Sequence, residues 1–184
     1  MALPKEMDYN IEDIYNLPDG KRAELIDGQI YYMAPPTFRH QKLVIELSTA
    51  INNYIKSKKG GCEVIPAPFA VFLNETNKTY VEPDISVICD KSKITKHGCV
   101  GSPDWIIEIV SPSSRQMDYF TKLFKYHSSN VREYWIVDPL KNRIMVYQFE
   151  SSTITEYSFS DSIKVGIYED LTIDFSELSD VLDS

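Results

Sequence analysis

Hydrophobic positions along the chain recur with two periods, and the changes of period mark out the elements. Leu43, Val44, Leu47, Ala50, Ile51, Tyr54 and Ile55 fall on one stripe at helical spacing, which predicts an amphipathic helix. Thr37, just after Pro35-Pro36, can cap its start, and Lys58-Lys59-Gly60-Gly61 supplies the cations and glycines that suit its end. A shorter helical pattern covers residues 8–16, with Ile11, Ile14 and Tyr15, and another runs from about Met117 to Ser128. Strand patterns cover Val64 to Leu73, Tyr80 to Ile88 and Trp105 to Val110. Pro66 and Pro68 confine the first half of the first of these to an edge or a bulge. Asp27-Gly28 is a two-residue turn signal inside a hairpin spanning Glu24 to Met33. A second hairpin joins Tyr134–Val137 to Arg143–Phe149 around Asp138-Pro139, and Thr153–Phe159 and Leu171–Phe175 read as short edge strands before a final helical turn. Helix, three strands, helix, two strands is an α/β order, a sheet with helices packed on it.

Composition adds size and compartment. The chain has 184 residues, 43% hydrophobic and 25% charged, which suits one globular domain over residues 1–184, with a core of about 36–149 and an extension over 150–184. The net charge of −8 is unevenly placed: residues 150–184 hold nine acidic side chains and one basic, whereas residues 1–149 hold eighteen of each. The acidic total therefore does not exclude a DNA substrate; it predicts that the C-terminal segment faces away from one, and that affinity is weak and salt-sensitive. Cys62, Cys89 and Cys99 form no C-x-x-C pair, and the expectation is three reduced thiols in a cytoplasmic protein. Met1 to Asn10 lacks the apolar core of a secretory signal, and no apolar run is long enough to cross a bilayer. There is no P-loop, H-E-x-x-H, G-x-S-x-G or dinucleotide-binding glycine pattern.

Chemistry concentrates at a few carboxylates. Glu108 interrupts the apolar run Trp105-Ile106-Ile107-Glu108-Ile109-Val110, where a lone carboxylate is costly unless a cation or donors meet it. It is either an ion-paired strand-end residue or part of a site. In Val81-Glu82-Pro83-Asp84-Ile85-Ser86-Val87-Ile88, alternation puts Val81, Ile85 and Val87 on one face and Glu82, Asp84 and Ser86 on the other. Alone, Asp84 could be merely solvated. Paired with Glu108 across neighbouring strands, it makes a carboxylate pair of the kind that holds magnesium against a phosphate. On the helix from Met117 to Ser128, Met117, Phe120, Phe124 and His127 form the apolar stripe, and Asp118, Lys122 and Lys125 lie nearly opposite. Periodicity thus predicts a solvated face for Lys122. His40 shares the stripe of Leu43, Val44 and Leu47 and should face the sheet, as a hydrogen-bonded core histidine or as a catalyst. Glu24, at the start of its hairpin, is as consistent with a buried polar anchor as with a site. Glu46, Tyr134, Trp135 and the loop of Lys91, Lys93, Lys96 and His97 have simple structural readings.

Taken in order, Glu24-Leu-Ile-Asp-Gly28, Pro35-Pro-Thr-Phe-Arg-His40, Pro83-Asp84-Ile85, Trp105-Ile-Ile-Glu-Ile-Val-Ser-Pro112, Asp118-x-x-x-Lys122-x-x-x-Tyr126 and Glu133-Tyr-Trp-Ile-Val-Asp-Pro139 resemble the Uma-type restriction endonucleases of the PD-(D/E)XK nuclease superfamily. The resemblance runs from about Tyr9 to Leu178. It implies a restriction-endonuclease-like fold, a central mixed sheet flanked by helices with an N-terminal hairpin and C-terminal edge strands. It also implies a metal-dependent endonuclease acting on DNA, with Mg2+ or Mn2+ held by Asp84 and Glu108 and the Ile109 carbonyl as a further ligand. Val110 stands where the (D/E)XK lysine belongs, and the resemblance assigns that part to Lys122, against the periodicity. His40 and Glu24 would complete the polar shell, and a homodimer would serve the two cuts of a duplex. The missing lysine also leaves open a nuclease fold kept as a binding or regulatory module.

Overall fold

The computed structural model describes residues 8–74 and 76–181. The sequence expectation about Met1 to Met7 and the end of the acidic segment, residues 182–184, lie outside the described residues.

Helix α1 (Ile11–Tyr15) starts at a capping box in which Asn10 and Asp13 satisfy each other's backbone N–H groups. Strands β1 (Ala23–Ile26) and β2 (Gln29–Tyr32) form the expected hairpin. Asp27 and Gly28 both have positive φ, 51° and 78°, as a tight hairpin turn demands. Helix α2 (Phe38–Ser57) begins where Thr37 accepts a hydrogen bond from the His40 N–H at 3.3 Å. Leu43, Val44, Leu47, Ile51 and Ile55 are its buried stripe.

Prolines divide two strands that the hydrophobic pattern joins. The run from Val64 to Leu73 becomes β3 (Glu63–Pro66) and β4 (Val71–Phe72), in different sheets, with a cis Ala67-Pro68 bond between them. The run from Tyr80 to Ile88 yields only β5 (Ile85–Ile88), while Tyr80 and Val81 bridge to Leu25 and Val71. Pro83 lacks the N–H a continuous ladder needs. Consequently Val81 does not share a face with Ile85 and Val87; it packs in the opposite core cluster. Strands β6 (Ile94–Thr95) and β7 (Gly98–Val100) arise in the stretch read as a solvated lysine loop, and β7 joins β4. Gly98 is required there: a Cβ would sit 2.3 Å from the Ala70 carbonyl oxygen.

The principal sheet is completed by β8 (Trp105–Ile109), β9 (Glu133–Asp138), β10 (Arg143–Gln148) and β11 (Thr153–Tyr157). Its order is β11-β10-β9-β8-β5-β3; β8 and β9 are parallel and the other neighbours antiparallel. This is the mixed α/β architecture expected. One face packs on α2 together with Phe159, Ile163, Val165, Leu171, Ile173 and Phe175. The last segment therefore fills core on a small hairpin of β12 (Ser162–Lys164) and β13 (Thr172–Asp174), while alternate positions carry its acids outward. Asp170 is bound by Tyr54 of α2 and by Lys58 just past its end, and residues Ser176–Val181 form the final helical turn. The other face is covered by a π-helical turn, Met117–Lys122, continuing into α3 (Leu123–Ser128).

The expectation of three reduced thiols is overturned. Cys62 and Cys89 follow the Glu63↔Ile88 pair of β3 and β5 outward and are joined as a disulfide, leaving Cys99 buried and free. Only the strand register brings two cysteines 27 residues apart together. Among the described residues no helix is long and apolar enough to cross a membrane.

Candidate active site

Strand pairing brings the two key carboxylates together. Ile85 pairs with Ile107, so the antiparallel register sets Asp84, one residue before β5, against Glu108 of β8. The Asp84 N–H donates to Glu108 Oε2 at 3.2 Å, and the Ile109 N–H donates to Asp84 Oδ2 at 2.7 Å. The Asp84 carboxylate thus takes a ladder position where the strand has ended. His40, at the start of α2, reaches the same Oδ2 with Nε2 at 3.0 Å. The histidine that the stripe directed at the sheet meets a carboxylate at the strand end.

Glu108 projects into the face covered by the π-helical turn. Its Oε1 accepts from Lys122 Nζ at 2.9 Å and from the Tyr126 hydroxyl at 2.7 Å. Lys122 Nζ also lies 2.9 Å from Glu24 Oε2 and 3.9 Å from Asp118 Oδ1. Glu24 Oε1 accepts from the Glu82 N–H at 2.9 Å, which fixes the β1 hairpin over the site. All five residues singled out from the sequence, Glu24, His40, Asp84, Glu108 and Lys122, therefore converge.

The periodicity argument for a solvated Lys122 is reversed. Lys122 is 5% exposed and Asp118 2%, whereas Phe120 and Phe124, two of the four residues of the expected apolar stripe, face solvent; of the other two, Met117 packs against the core and His127 lies against Phe149. A stripe of Asp118, Lys122 and Tyr126 at four-residue spacing faces inward. The π-helical turn re-aims the side chains, and such turns recur at functional sites. A polar stripe with internal partners has the same sequence pattern as a solvated one. Lys125 sits at the flank, 2.5 Å from Asp27. Glu46 pairs with Lys42, Lys91 with Glu63, and Lys93 donates to the Ser102 carbonyl, all away from the cluster. Tyr134 and Trp135 are core aromatics; the Tyr134 hydroxyl also donates to the Asp118 carbonyl at 3.0 Å.

The electrostatics are those of buried acids sharing too few cations. Burial pushes Glu108 well above the ordinary carboxylate range, Lys122 opposes this, and the charges of Asp84, Asp118 and Glu24 add to it. Asp118 is pushed up to about 6, by burial first, against Lys122 and a Ser114 hydrogen bond and with Asp84 and Glu24. Burial works against the charge on Lys122, yet Glu108, Glu24 and Asp118 hold it well above its usual value. For this group the firm direction is a protonated Lys122, because carboxylates meet it on two sides. His40 is raised as well: burial lowers it, but the Asp84 hydrogen bond and charge outweigh that.

Acceptor capacity remains on two carboxylates. Asp84 Oδ2 and Glu108 Oε1 each already take two donors, whereas Glu108 Oε2 takes one and, among the described residues, Asp84 Oδ1 takes none. Asp118 Oδ2 is buried with no hydrogen-bond partner. No group of three His, Cys, Asp or Glu side chains among the described residues is arranged to hold an ion by itself. Two carboxylates and water is instead the pattern magnesium accepts.

The model of the Uma2 family, described as "Putative restriction endonuclease", matches residues 11–176. The chain belongs to the Uma2 family. An uncharacterized protein of Synechocystis, slr1290, is 27% identical over 149 residues, covering 79% of this chain and 77% of that protein. A crystal structure from Anabaena variabilis, described as a "putative nuclease belonging to DUF820", superimposes with a TM-score of 0.76 at 21% identity, over 94% of this chain and 98% of that one. The Uma2 chain thus has a nuclease-like fold. Two site residues went unassigned in the sequence reading, Asp118 and Tyr126. Both stand in the Asp118-x-x-x-Lys122-x-x-x-Tyr126 motif, whose spacing alone was the signal for them.

Proposed function

We propose that this Uma2 protein is a divalent-metal-dependent endonuclease that hydrolyses phosphodiester bonds in DNA. One observation carries the reading: four carboxylates, Glu24, Asp84, Glu108 and Asp118, surround Lys122 and His40. With all six ionised the cluster is short by two positive charges, the charge of one divalent ion. Asp84 Oδ1, Glu108 Oε2 and the Ile109 carbonyl would hold Mg2+ or Mn2+, reached from the Asp84 side, whose side chain is 16% exposed against 4% for Glu108. The bound ion would supply Lewis-acid polarisation of the scissile phosphate and a more acidic water.

The remaining roles belong to the chain itself. Lys122, protonated and held by two carboxylates, has a third N–H to orient the attacking water or to offset charge in the transition state; it is not a base. His40 positions Asp84, Tyr126 positions Glu108, and Glu24 positions Lys122. Lys122 fills the part of the absent (D/E)XK lysine from the covering helix, since Val110 is buried in core. The reading includes a cytoplasmic location and a homodimer; the disulfide is the observation that weighs against a reducing compartment.

A second reading, a nuclease fold kept as a binding module, is favoured by the same ion pair: Lys122 and Tyr126 already satisfy Glu108 Oε1. Cleavage of supercoiled, linear and single-stranded DNA with Mg2+ or Mn2+, alongside calorimetric titration of Mn2+, separates the two. The enzyme reading expects cleavage abolished by chelator and reduced by about 100-fold or more in Asp84→Ala and Glu108→Ala. Inert wild-type protein, with equal Mn2+ heats in wild type and the double variant, overturns it in favour of the module.

A further inference from the structure

The two edges of the principal sheet are built differently. Edge β3 ends at Pro66, which has no N–H to offer, and its Glu63 is paired with Lys91. Prolines and charges of this kind keep a strand edge from pairing with another chain. Edge β11, Thr153-Ile-Thr-Glu-Tyr157, has no proline, and its single charge, Glu156, lies 3.9 Å from Arg143 of its own sheet. Among the described residues its backbone pairs only with β10. Beside it, Phe120, Phe124 and Ile154 are 71%, 66% and 64% exposed. They line a single apolar hollow of about 440 Å³ with Leu123, Tyr147 and Phe149. Ile154 stands opposite Tyr147 in the ladder, so the hollow and the open edge adjoin on the helix-bearing face.

The geometry points to a second copy of this chain docking here, by antiparallel pairing of β11 with the same strand of its partner. A two-fold axis normal to the sheet joins the six strands of each copy into one sheet and keeps both apolar hollows on one face, where they abut. Such an interface is isologous and closed, so it ends at a dimer. Phe120, Phe124 and Ile154 expose about 400 Å² per copy. Two such surfaces, with the paired backbones and their rim, reach about 1,200 Å², the lower bound for a stable specific interface. A nucleic-acid base is the less suited occupant: among the described residues none that lines the hollow is a lysine or arginine, and Arg143, which stands over the Tyr119 ring at its edge, is taken up by the Tyr119 hydroxyl and faces Glu156. The dimer would press on the outer side of the helix that supplies Lys122 and Tyr126. In one respect the inference rests on the nuclease reading: both candidate sites then face one side of the joined sheet, as two cuts on a duplex require.

The test is sedimentation velocity of the full chain from about 1 to 100 µM, in wild type, Phe124→Glu and Ile154→Lys. Both positions are exposed, so folding is retained, and circular dichroism verifies it. The expected result is a wild-type dimer whose dissociation constant rises at least about 100-fold in each variant. Hydrogen exchange on wild type alone gives a second readout: amides 153–157 should slow as concentration rises. A monomeric wild type, an unchanged dimer in both variants, or exchange independent of concentration overturns the proposal. So does monomeric protein whose binding of a labelled oligothymidylate is lost in Phe124→Glu. A variant-sensitive dimer that cuts no DNA leaves this surface standing while the nuclease reading fails.

Discussion

Replacing Lys122 by methionine tests the electrostatic logic of the site directly. Lys122 is almost fully buried, with Glu108 and Glu24 each at 2.9 Å and Asp118 at 3.9 Å. Methionine keeps the stem's volume and removes what is, among the described residues, the one cation common to these three carboxylates. Removing one partner of a buried ion pair costs about 3–5 kcal/mol, mostly because the other is left uncompensated. In a chain of this size each kcal/mol moves the thermal midpoint by about 2–4 °C, so the variant should melt about 6–20 °C lower near pH 8. The loss must depend on pH, and its sign follows from linkage. Without the lysine the folded state raises its carboxylate affinities for protons further, so it binds more protons than the unfolded chain, and stability falls as pH rises. At pH 5 the acids protonate and much of the deficit disappears. Thermal melts by circular dichroism at pH 5 and 8, with Glu108→Gln/Lys122→Met as a charge-relieved control, measure this. A variant that melts with wild type at pH 8, or whose deficit is the same at both pH values, refutes the reasoning.

Three further outcomes follow from the same structure. Asp118 is raised from 3.8 to about 6, so the folded state holds its proton more tightly and wild-type stability falls as pH rises through that window. Asp118→Asn should then be more stable than wild type well above pH 6, by up to about 3 kcal/mol, with the difference shrinking toward zero near pH 4 in urea titrations. His40 should titrate above 6.5 because of Asp84, contributing stability that is complete below 6.5 and lost as pH rises through the folded value. Histidine NMR should show its midpoint drop in Asp84→Asn; an unmoved midpoint removes Asp84 as the cause. Reducing Cys62–Cys89, which closes a loop of 27 residues, should lower stability by about 3–4 kcal/mol. Thiol titration of denatured, unreduced protein should find only Cys99; three thiols would contradict the disulfide.

Local signals in the sequence were read correctly where the physics is local. The Asp27-Gly28 turn, the Thr37 cap and the stripe of α2 depend on residues a few positions apart, and each forms as expected. Glu108 was recognisable because an unaccompanied charge in an apolar run is expensive wherever the strand lies. The prolines at 66 and 68 were visible as limits on pairing, whereas Pro83 was read through as the middle of one strand; which sheet each half-strand joins depends on partners far along the chain. Strands β6 and β7 are two and three residues long and exist because Gly98 lets the chain close on Ala70. The acidic segment after residue 150 looked like an appendage, because charge dominates its composition; alternate apolar residues make it part of the core.

The sharpest division falls at Lys122. Its sequence neighbourhood specifies a helix with aromatic residues on one side and charges on the other, and by hydrophobicity alone the aromatic side is the inner one. The tertiary structure decides otherwise, since Glu24 from the hairpin and Glu108 from the sheet arrive to balance the lysine, and desolvation is then compensated by ion pairs no local pattern contains. The sequence by itself determined the elements, the family motifs and the residues capable of chemistry. Only the strand register and the packing of the covering helix decided that those residues meet, that Cys62 finds Cys89, and that Phe120 and Phe124 are left on the surface. Pairing and burial are properties of residues brought together from a distance, and a hydrophobic period records only the neighbours along the chain.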